Sequence, residues 1–395
     1  MKIFNKNEWK KVKLGDIFNL QMGKTPLREN KLYWNKGEYN WISISDMNFS
    51  EKYVSFTKEK ITNLAVKESG IKIIPKNTVI MSFKLSIGKV KIVNDDIYSN
   101  EAIMAFIPKE NIPIDKNFLY YSLKSIKWNE GINKAVKGLT LNKALISQKE
   151  IFLPNLAIQK EIASNLDSIA DFLDLRRKQL NYLEELSKSL FTTMFGDIKT
   201  NNKNWEIKKL GEVIQIQYGT SKKATSIVTE FPILRMNNIT YSGEMDYRDL
   251  KYIELSDNEK EKFLLKKGEL LFNRTNSKEL VGKTGLFELD TPMAFAGYLI
   301  KMKPSNLIHS KFLLFFMNSE FMKKLLYNKA KNIVGMANIN AKELEDFSII
   351  LPPIELQNKF AERIEKIEKL KFEIEKSIEI AQNLYDSLIS KYFDN

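Results

Sequence analysis

Residues 153–166 read Leu153-Pro154-Asn155-Leu156-Ala157-Ile158-Gln159-Lys160-Glu161-Ile162-Ala163-Ser164-Asn165-Leu166. Residues 351–364 read Leu351-Pro352-Pro353-Ile354-Glu355-Leu356-Gln357-Asn358-Lys359-Phe360-Ala361-Glu362-Arg363-Ile364. Both stretches hold Leu-Pro, a Gln five places after that Pro, and an apolar residue followed by Ala. From Ile162 the apolar positions advance by four and three: Leu166, Ile169, Leu173, Leu180, Leu183, Leu190 and Met194, with Arg176 and Ser187 as the polar breaks. Adding 198 gives Phe360, Ile364, Ile367, Ile374, Ile378, Ala381, Tyr385, Leu388 and Tyr392, broken only by Lys371. A sustained 3.5-residue period specifies a coiled-coil seam. Proline suits the first turn of a helix. The spacing therefore predicts two long helices, over 154–198 and 352–395, each about 60 Å long at ~1.5 Å per residue. So long a stripe exceeds what one small domain can cover, and the other copy is the simplest partner. The expectation is an antiparallel pair with pseudo-two-fold symmetry; two separate helical hairpins are the alternative.

The duplication extends outward from these helices. Trp9 and Gly15 return as Trp205 and Gly211, Gly23 as Gly219, and Phe118–Ser125 as Phe312–Ser319, in the same order. The unit is too long for a solenoid repeat. Short apolar runs such as Trp41–Ile44, Thr78–Met81 and Glu269–Phe272, bounded by Gly, Pro, Asn and Asp, predict strands and turns. Phe118–Lys124 and Phe312–Phe316 predict helices. The fold class is α+β, with two duplicated mixed α/β domains over 1–153 and 199–351, each followed by a long helix.

At 395 residues and 43% hydrophobic, the chain has ample material for globular cores. It has no cysteine and one histidine, His309. This excludes disulfides, thiol nucleophiles and cysteine-built metal sites. No apolar run reaches the ~18 residues of a membrane span, and the opening residues hold no signal core. A soluble cytoplasmic protein without a membrane partner is expected. The net charge is +13, yet residues 154–196 carry −1 and residues 354–395 carry −2. The remainder thus holds +16, and cations concentrated in the globular parts point to a polyanionic partner such as double-stranded DNA.

No reactive constellation accompanies this charge. Gly282-Lys283-Thr284 ends like a phosphate-binding loop, but Ser277 stands where the first glycine is needed. Leu351-Pro352-Pro353-Ile354 lacks the flanking residues and Gly-rich loop of an amino-methyltransferase. Neither a catalytic residue, a metal site nor a cofactor is expected in this chain.

Sequence reading of DNA needs side chains that match base edges and phosphates. In the first half the candidates are Ser43, Ser45, Asn48, Lys84, Lys89, Lys137, Thr140, Asn142 and Lys143. In the second they are Arg235, Asn237, Asn238, Asn273, Arg274, Asn276, Lys278, Lys283, Asn338 and Asn340. Asn, Ser and Gly also fill ordinary turns. The loops differ between halves while the helices keep register, which suits two readers of unlike half-sites on one frame.

With these features the chain resembles the specificity (S) subunit of a type I restriction–modification system. The resemblance rests on the paired Trp-x5-Gly starts, the Gly88-Lys89 and Gly282-Lys283 elements, the Leu-Pro entries with Gln159 and Gln357, and the heptad helices ending in Ser189-Leu-Phe191 and Ser387-Leu-Ile389. The second ending departs, with Ile389 in the place of Phe191. The resemblance implies two target-recognition domains reading a bipartite DNA sequence with a fixed gap, and helices that measure the gap. It implies docking of two methyltransferase subunits that bring S-adenosylmethionine and methylate adenine, and of restriction subunits that cleave unmodified DNA. It also implies no activity for the subunit alone. A specificity subunit of another methyltransferase system, or a coiled-coil scaffold with two peptide-binding domains, remain as alternatives.

Overall fold

One strand plan is built twice. The computed structural model describes residues 6–49, 51–54, 56–84, 86–128, 141–333 and 336–394. Two compact units result: Met1–Arg176 together with Ser377–Asn395, and Arg177–Lys376.

In the first unit the strands Phe18–Met22, Ile103–Pro108, Val79–Ser82 and Val90–Val93 lie side by side in that order, with Tyr53–Val54 added at the edge. In the second unit Ile214–Tyr218, Leu299–Pro304, Leu270–Asn273 and Thr284–Leu286 repeat the order. Tyr39–Ile42 pairs antiparallel with Glu59–Ile61 and parallel with Tyr98–Ser99. Phe231–Leu234 repeats this with Lys251–Ile253 and Ala294–Phe295. Val79–Ser82, Val90–Val93 and Leu270–Asn273 are buried at every position, so their sequences are near-continuous apolar runs rather than alternating ones. The second unit also holds a small sheet of Thr275–Asn276, Met336–Asn338 and Lys331–Ile333.

The repeated motifs are fastenings. Gln159 and Gln357 are fully buried and make matching bonds. Gln159 Nε2 donates to the carbonyls of Pro113 and Pro154, at 3.1 and 2.9 Å, while its Oε1 accepts from the Asp115 amide at 2.8 Å. Gln357 Nε2 donates to Leu307 and Pro352, at 3.2 and 2.7 Å, and its Oε1 accepts from the His309 amide at 2.8 Å. Each glutamine thus ties the start of a long helix to the start of a shorter one, Lys116–Ser125 or Ser310–Asn318. A buried amide whose two N–H groups and oxygen each have a partner fixes geometry that apolar packing alone leaves loose.

The long helices run Leu156–Phe195 and Ile354–Phe393. Every seam position named above is buried or half-buried, Ile162, Leu166, Ile169, Leu173, Leu180, Leu183, Ile364, Ile367, Ile374, Ile378 and Leu388 included. Within the second unit Phe191 packs on Phe360 at 5.6 Å between ring centres, and Glu184 lies 3.8 Å from Lys371, so the two helices run antiparallel there.

The seam is also more than a helix–helix contact. Ile162, Leu166, Leu388 and Tyr392 belong to the first unit's core with Phe118 and Tyr121. Phe191, Phe195, Phe360 and Ile364 belong to the second unit's core with Phe312. The expectation that a long stripe would outrun its own domain is thus half corrected. Its ends are domain core, because bulky aromatics on Lys116–Ser125 and Ser310–Asn318 reach them.

A second apolar stripe runs along the outer faces. Phe172, Tyr182 and Leu186 recur, 198 residues on, as Leu370, Ile380 and Leu384, and all are exposed. With Leu175 and Phe372, each unit presents four exposed large apolar side chains from its two helix segments.

Candidate nucleic-acid interface

The turns that follow Tyr39–Ile42 and Phe231–Leu234 have matching internal bonds, which align the two sets of candidates. Asp46 is buried; its Oδ2 accepts from the Ser43 amide at 2.8 Å, and its Oδ1 from the Lys58 amide at 3.1 Å. Asn238 holds the same place. Its Oδ1 accepts from the Arg235 amide at 2.9 Å, and its Nδ2 donates to the carbonyls of Asp246 and Asp249 at 2.8 and 3.0 Å. Asn238 is therefore a turn-holding residue, not a DNA contact, and this corrects the sequence expectation. The residues beside it face outward. Ser43 and Arg235 are half-buried, and Ser45 and Asn237 are exposed. Arg235 Nη2 donates to Asp249 Oδ2 at 2.9 Å, and Ser43 Oγ donates to Asp46 Oδ2 at 2.7 Å.

The Gly-Lys elements fasten the same turns. Gly88 and Gly282 have φ of +83° and +87°, a left-handed backbone that glycine adopts without a Cβ clash. Their amides donate to the carbonyls of Ser82 and Asn273, both at 2.9 Å or less. Lys283 is buried, and its Nζ donates to the carbonyls of Met236 and Ile239 at 3.1 and 2.5 Å. Burial lowers its pKa. It is a core strut, which corrects its assignment to a phosphate. Lys89 makes the parallel reach, donating to Asn48 Oδ1, but both residues stay accessible.

This register makes Ser82 the counterpart of Asn273 and Phe83 that of Arg274. The Leu141 amide donates to the Phe83 carbonyl at 3.1 Å, and the Ile339 amide to the Arg274 carbonyl at 2.9 Å. Phe83 is buried core, whereas Arg274 is half-buried with its guanidinium 5.0 Å from the centre of the Tyr218 ring. Arg274 Nη2 donates to Asn338 Oδ1 at 3.3 Å, and Asn338 Nδ2 to Thr275 Oγ1 at 2.7 Å. Asn273 is fully buried and cannot reach a base, a third correction. Among the described residues its amide atoms and Arg274 Nε have no hydrogen-bond partner.

The remaining candidates divide similarly. Lys84, Asn276 and Lys278 are half-buried, and Lys143 is exposed. Asn142 and Asn340 cap helices, accepting from the amides of Leu145 and Glu343, both at 2.9 Å. Lys137 and Thr140 lie outside the described residues. Tyr218, beneath Arg274, was not singled out from the sequence; its place directly before the repeated Gly219 was the available signal.

His309 proves to be a helix cap. Its Nδ1 accepts from the Lys311 amide at 3.1 Å, where Asp115 caps the equivalent helix. Accepting through Nδ1 requires that nitrogen to be unprotonated. Burial lowers the His309 pKa, helped by Lys311 and opposed by Glu365. Because its folded pKa lies below the ordinary value of about 6.5, the unfolded chain takes up the proton first as pH falls. The stabilisation is therefore complete above that value and is lost as pH drops through the folded pKa. Denaturant titrations between about pH 7.5 and 5.5 are expected to show falling stability, and His309→Asn is expected to flatten that fall. Equal slopes for both proteins would exclude the histidine as its source.

Among the described residues no helix is long and apolar enough to cross a membrane, and no group of His, Asp and Glu is placed to hold a metal.

Two tandem domains on one repeated frame define the class, and comparison with known proteins identifies the family. The type I restriction modification DNA specificity domain matches twice, over residues 6–185 and 202–382, and the chain belongs to that family. It is 24% identical to the type I restriction enzyme MjaIX specificity subunit of Methanocaldococcus jannaschii, over 97% of this chain and 92% of that one. It is 25% identical to the EcoKI specificity subunit of Escherichia coli, over 71% of this chain and 65% of that one. Its fold matches the crystal structure of the type I restriction–modification S subunit from M. genitalium with a TM-score of 0.63, at 16% identity, over 100% of this chain and 98% of that one.

Proposed function

We propose that this chain is the sequence-reading subunit of a type I restriction–modification complex. Residues 1–153 and 199–351 are its recognition domains, and the helices of 154–198 and 352–395 join them. Each domain reads one part of a bipartite, asymmetric DNA target with a fixed gap. The carrying observation is that the bonds fastening the frame recur in both copies while residues at matching positions change, half-buried Ser43 against Arg235 and buried Phe83 against half-buried Arg274. Identical readers would recognise a palindrome; unlike readers fused in one chain suit two unlike half-sites. The candidate contacts are Ser43, Ser45, Asn48, Lys84, Lys89 and Lys143 in the first domain, with the helix-capping Asn142 and with Lys137 and Thr140, which lie outside the described residues. In the second they are Arg235, Asn237, Arg274, Asn276, Lys278 and the helix-capping Asn340, with Asn338 placing Arg274.

The chemistry belongs to partners. Two methyltransferase subunits would bring S-adenosylmethionine and methylate adenine, and restriction subunits would cleave, in the cytoplasm. The outer apolar stripe supports two copies of one partner, since it occurs twice at the same spacing and large apolar patches mark interaction sites. The test is to express the chain with an adenine methyltransferase subunit of its own system and map modified adenines. A split asymmetric motif with a constant gap is expected. Methylation that is absent, or unchanged without this chain, would refute the reading.

A further inference from the structure

A cavity of about 270 Å³ opens on the second unit between the segment that follows Arg274 and the helix Glu320–Lys329. Lys278, Lys323 and Lys324 line it, with Tyr241, Tyr327 and one carboxylate, Glu279. The buried strut Lys283 forms part of the wall, its ammonium turned to the backbone carbonyls described above. Lys278 Nζ lies 4.6 Å from the centre of the Tyr327 ring, and Lys323 Nζ lies 3.9 Å from that of Tyr241. Lys323 Nζ also donates to the Tyr241 carbonyl at 2.8 Å. Both tyrosines are exposed, as is Lys324.

We propose that this cavity seats a backbone phosphate of DNA beside the second half-site, through Lys278, Lys323 and Lys324. The proposal rests on the reading of the chain as a DNA-binding subunit, and it adds a contact that contributes affinity without sequence preference. Three ammonium groups against a single carboxylate leave the site cationic. Aromatic faces beneath two of them hold the side chains in place, which reduces the entropy lost on binding. Burial, with Lys188 nearby, lowers the Lys323 pKa, and an arriving anion would stabilise its charged form. Lysine suits phosphate as a point charge. Position in the chain favours DNA over an acidic partner surface: Lys278 is four residues from Arg274, and phosphate contacts are what fix a reading side chain in register.

The test is the affinity of the assembled chain and methyltransferase subunits for a duplex carrying the mapped target, between about 50 and 200 mM salt. Lys324→Gln, alone and with Lys278→Gln, is expected to reduce the slope of log affinity against log salt by about 0.9 for one lost phosphate contact. With Lys324→Gln alone the methylated motif should not change. Lys262→Gln, at an exposed position away from the cavity on the same unit, is the control for net charge. An unaltered slope in both cavity variants, or an equal reduction in the control, overturns the proposal. So does weaker binding of the methyltransferase subunits with the slope intact, which would assign the cavity to a partner carboxylate. Wild-type affinity that does not fall with salt would instead overturn the DNA-reading function itself.

Discussion

Arg274→Ala is expected to relax or abolish recognition of one half of the target and leave the other half intact. Arg274 occupies a place that in the first domain is filled by the buried Phe83. An arginine at a core position is unfavourable unless its charge has a use. Here the side chain is half-buried, laid over Tyr218 and steered by Asn338, so its fork of donors is oriented before any ligand arrives. Such a fork matches the O6 and N7 acceptors of guanine, a contact worth about 1–3 kcal/mol of discrimination. At ~1.4 kcal/mol per tenfold, that is roughly 5- to 150-fold. Mapping modified adenines in cells carrying the variant reads the outcome directly. Degeneracy confined to one half-site is expected. Loss of both halves together would mean that the domains do not read independently. An unaltered motif would make Arg274 part of the frame.

Charge placed on the outer stripe is expected to remove methyltransferase subunits one at a time. Tyr182 and Leu186 lie in the second unit, Ile380 and Leu384 in the first, and all four are exposed. Burying one large apolar side chain at an interface stabilises it by about 1.5–3 kcal/mol. Tyr182→Glu with Leu186→Glu should therefore leave a complex with one methyltransferase subunit, as should Ile380→Glu with Leu384→Glu. All four changes together should leave none. Native mass spectrometry of the purified complexes counts the subunits. Since these positions are solvent-exposed, the thermal unfolding of the chain alone should hardly move. Two subunits retained in every variant would place docking elsewhere.

How much could be read in advance follows from the physics of each signal. Helix periodicity is local and redundant, so Leu156–Phe195 and Ile354–Phe393 emerge with all their seam positions on the covered side. The duplication is legible because Gln159 and Gln357, or Gly88 and Gly282, satisfy identical backbone demands in each copy. Orientation within a turn is a different matter. Asn237 and Asn238 are adjacent and chemically identical, yet one is exposed and the other holds three backbone groups. Nothing local separates them, because the difference comes from the carbonyls of Asp246 and Asp249, which long-range folding brings into place. Lys283 misled for the same reason. A lysine after glycine resembles a phosphate ligand until the carbonyls of Met236 and Ile239 are seen to receive it. The exposed stripe was in the sequence but was hidden beside the stronger seam.

The first unit is assembled from two separated lengths of chain, and this sets an order of events during synthesis. A ribosome that has released residue 376 has supplied everything in the second unit, Arg177–Lys376. It has not yet supplied Leu388 and Tyr392, which lie in the first unit's core against Phe118, Ile162 and Leu166. The half of the protein that is translated first is therefore completed last. A premature stop near the end would damage the domain encoded at the beginning and spare the one encoded beside it.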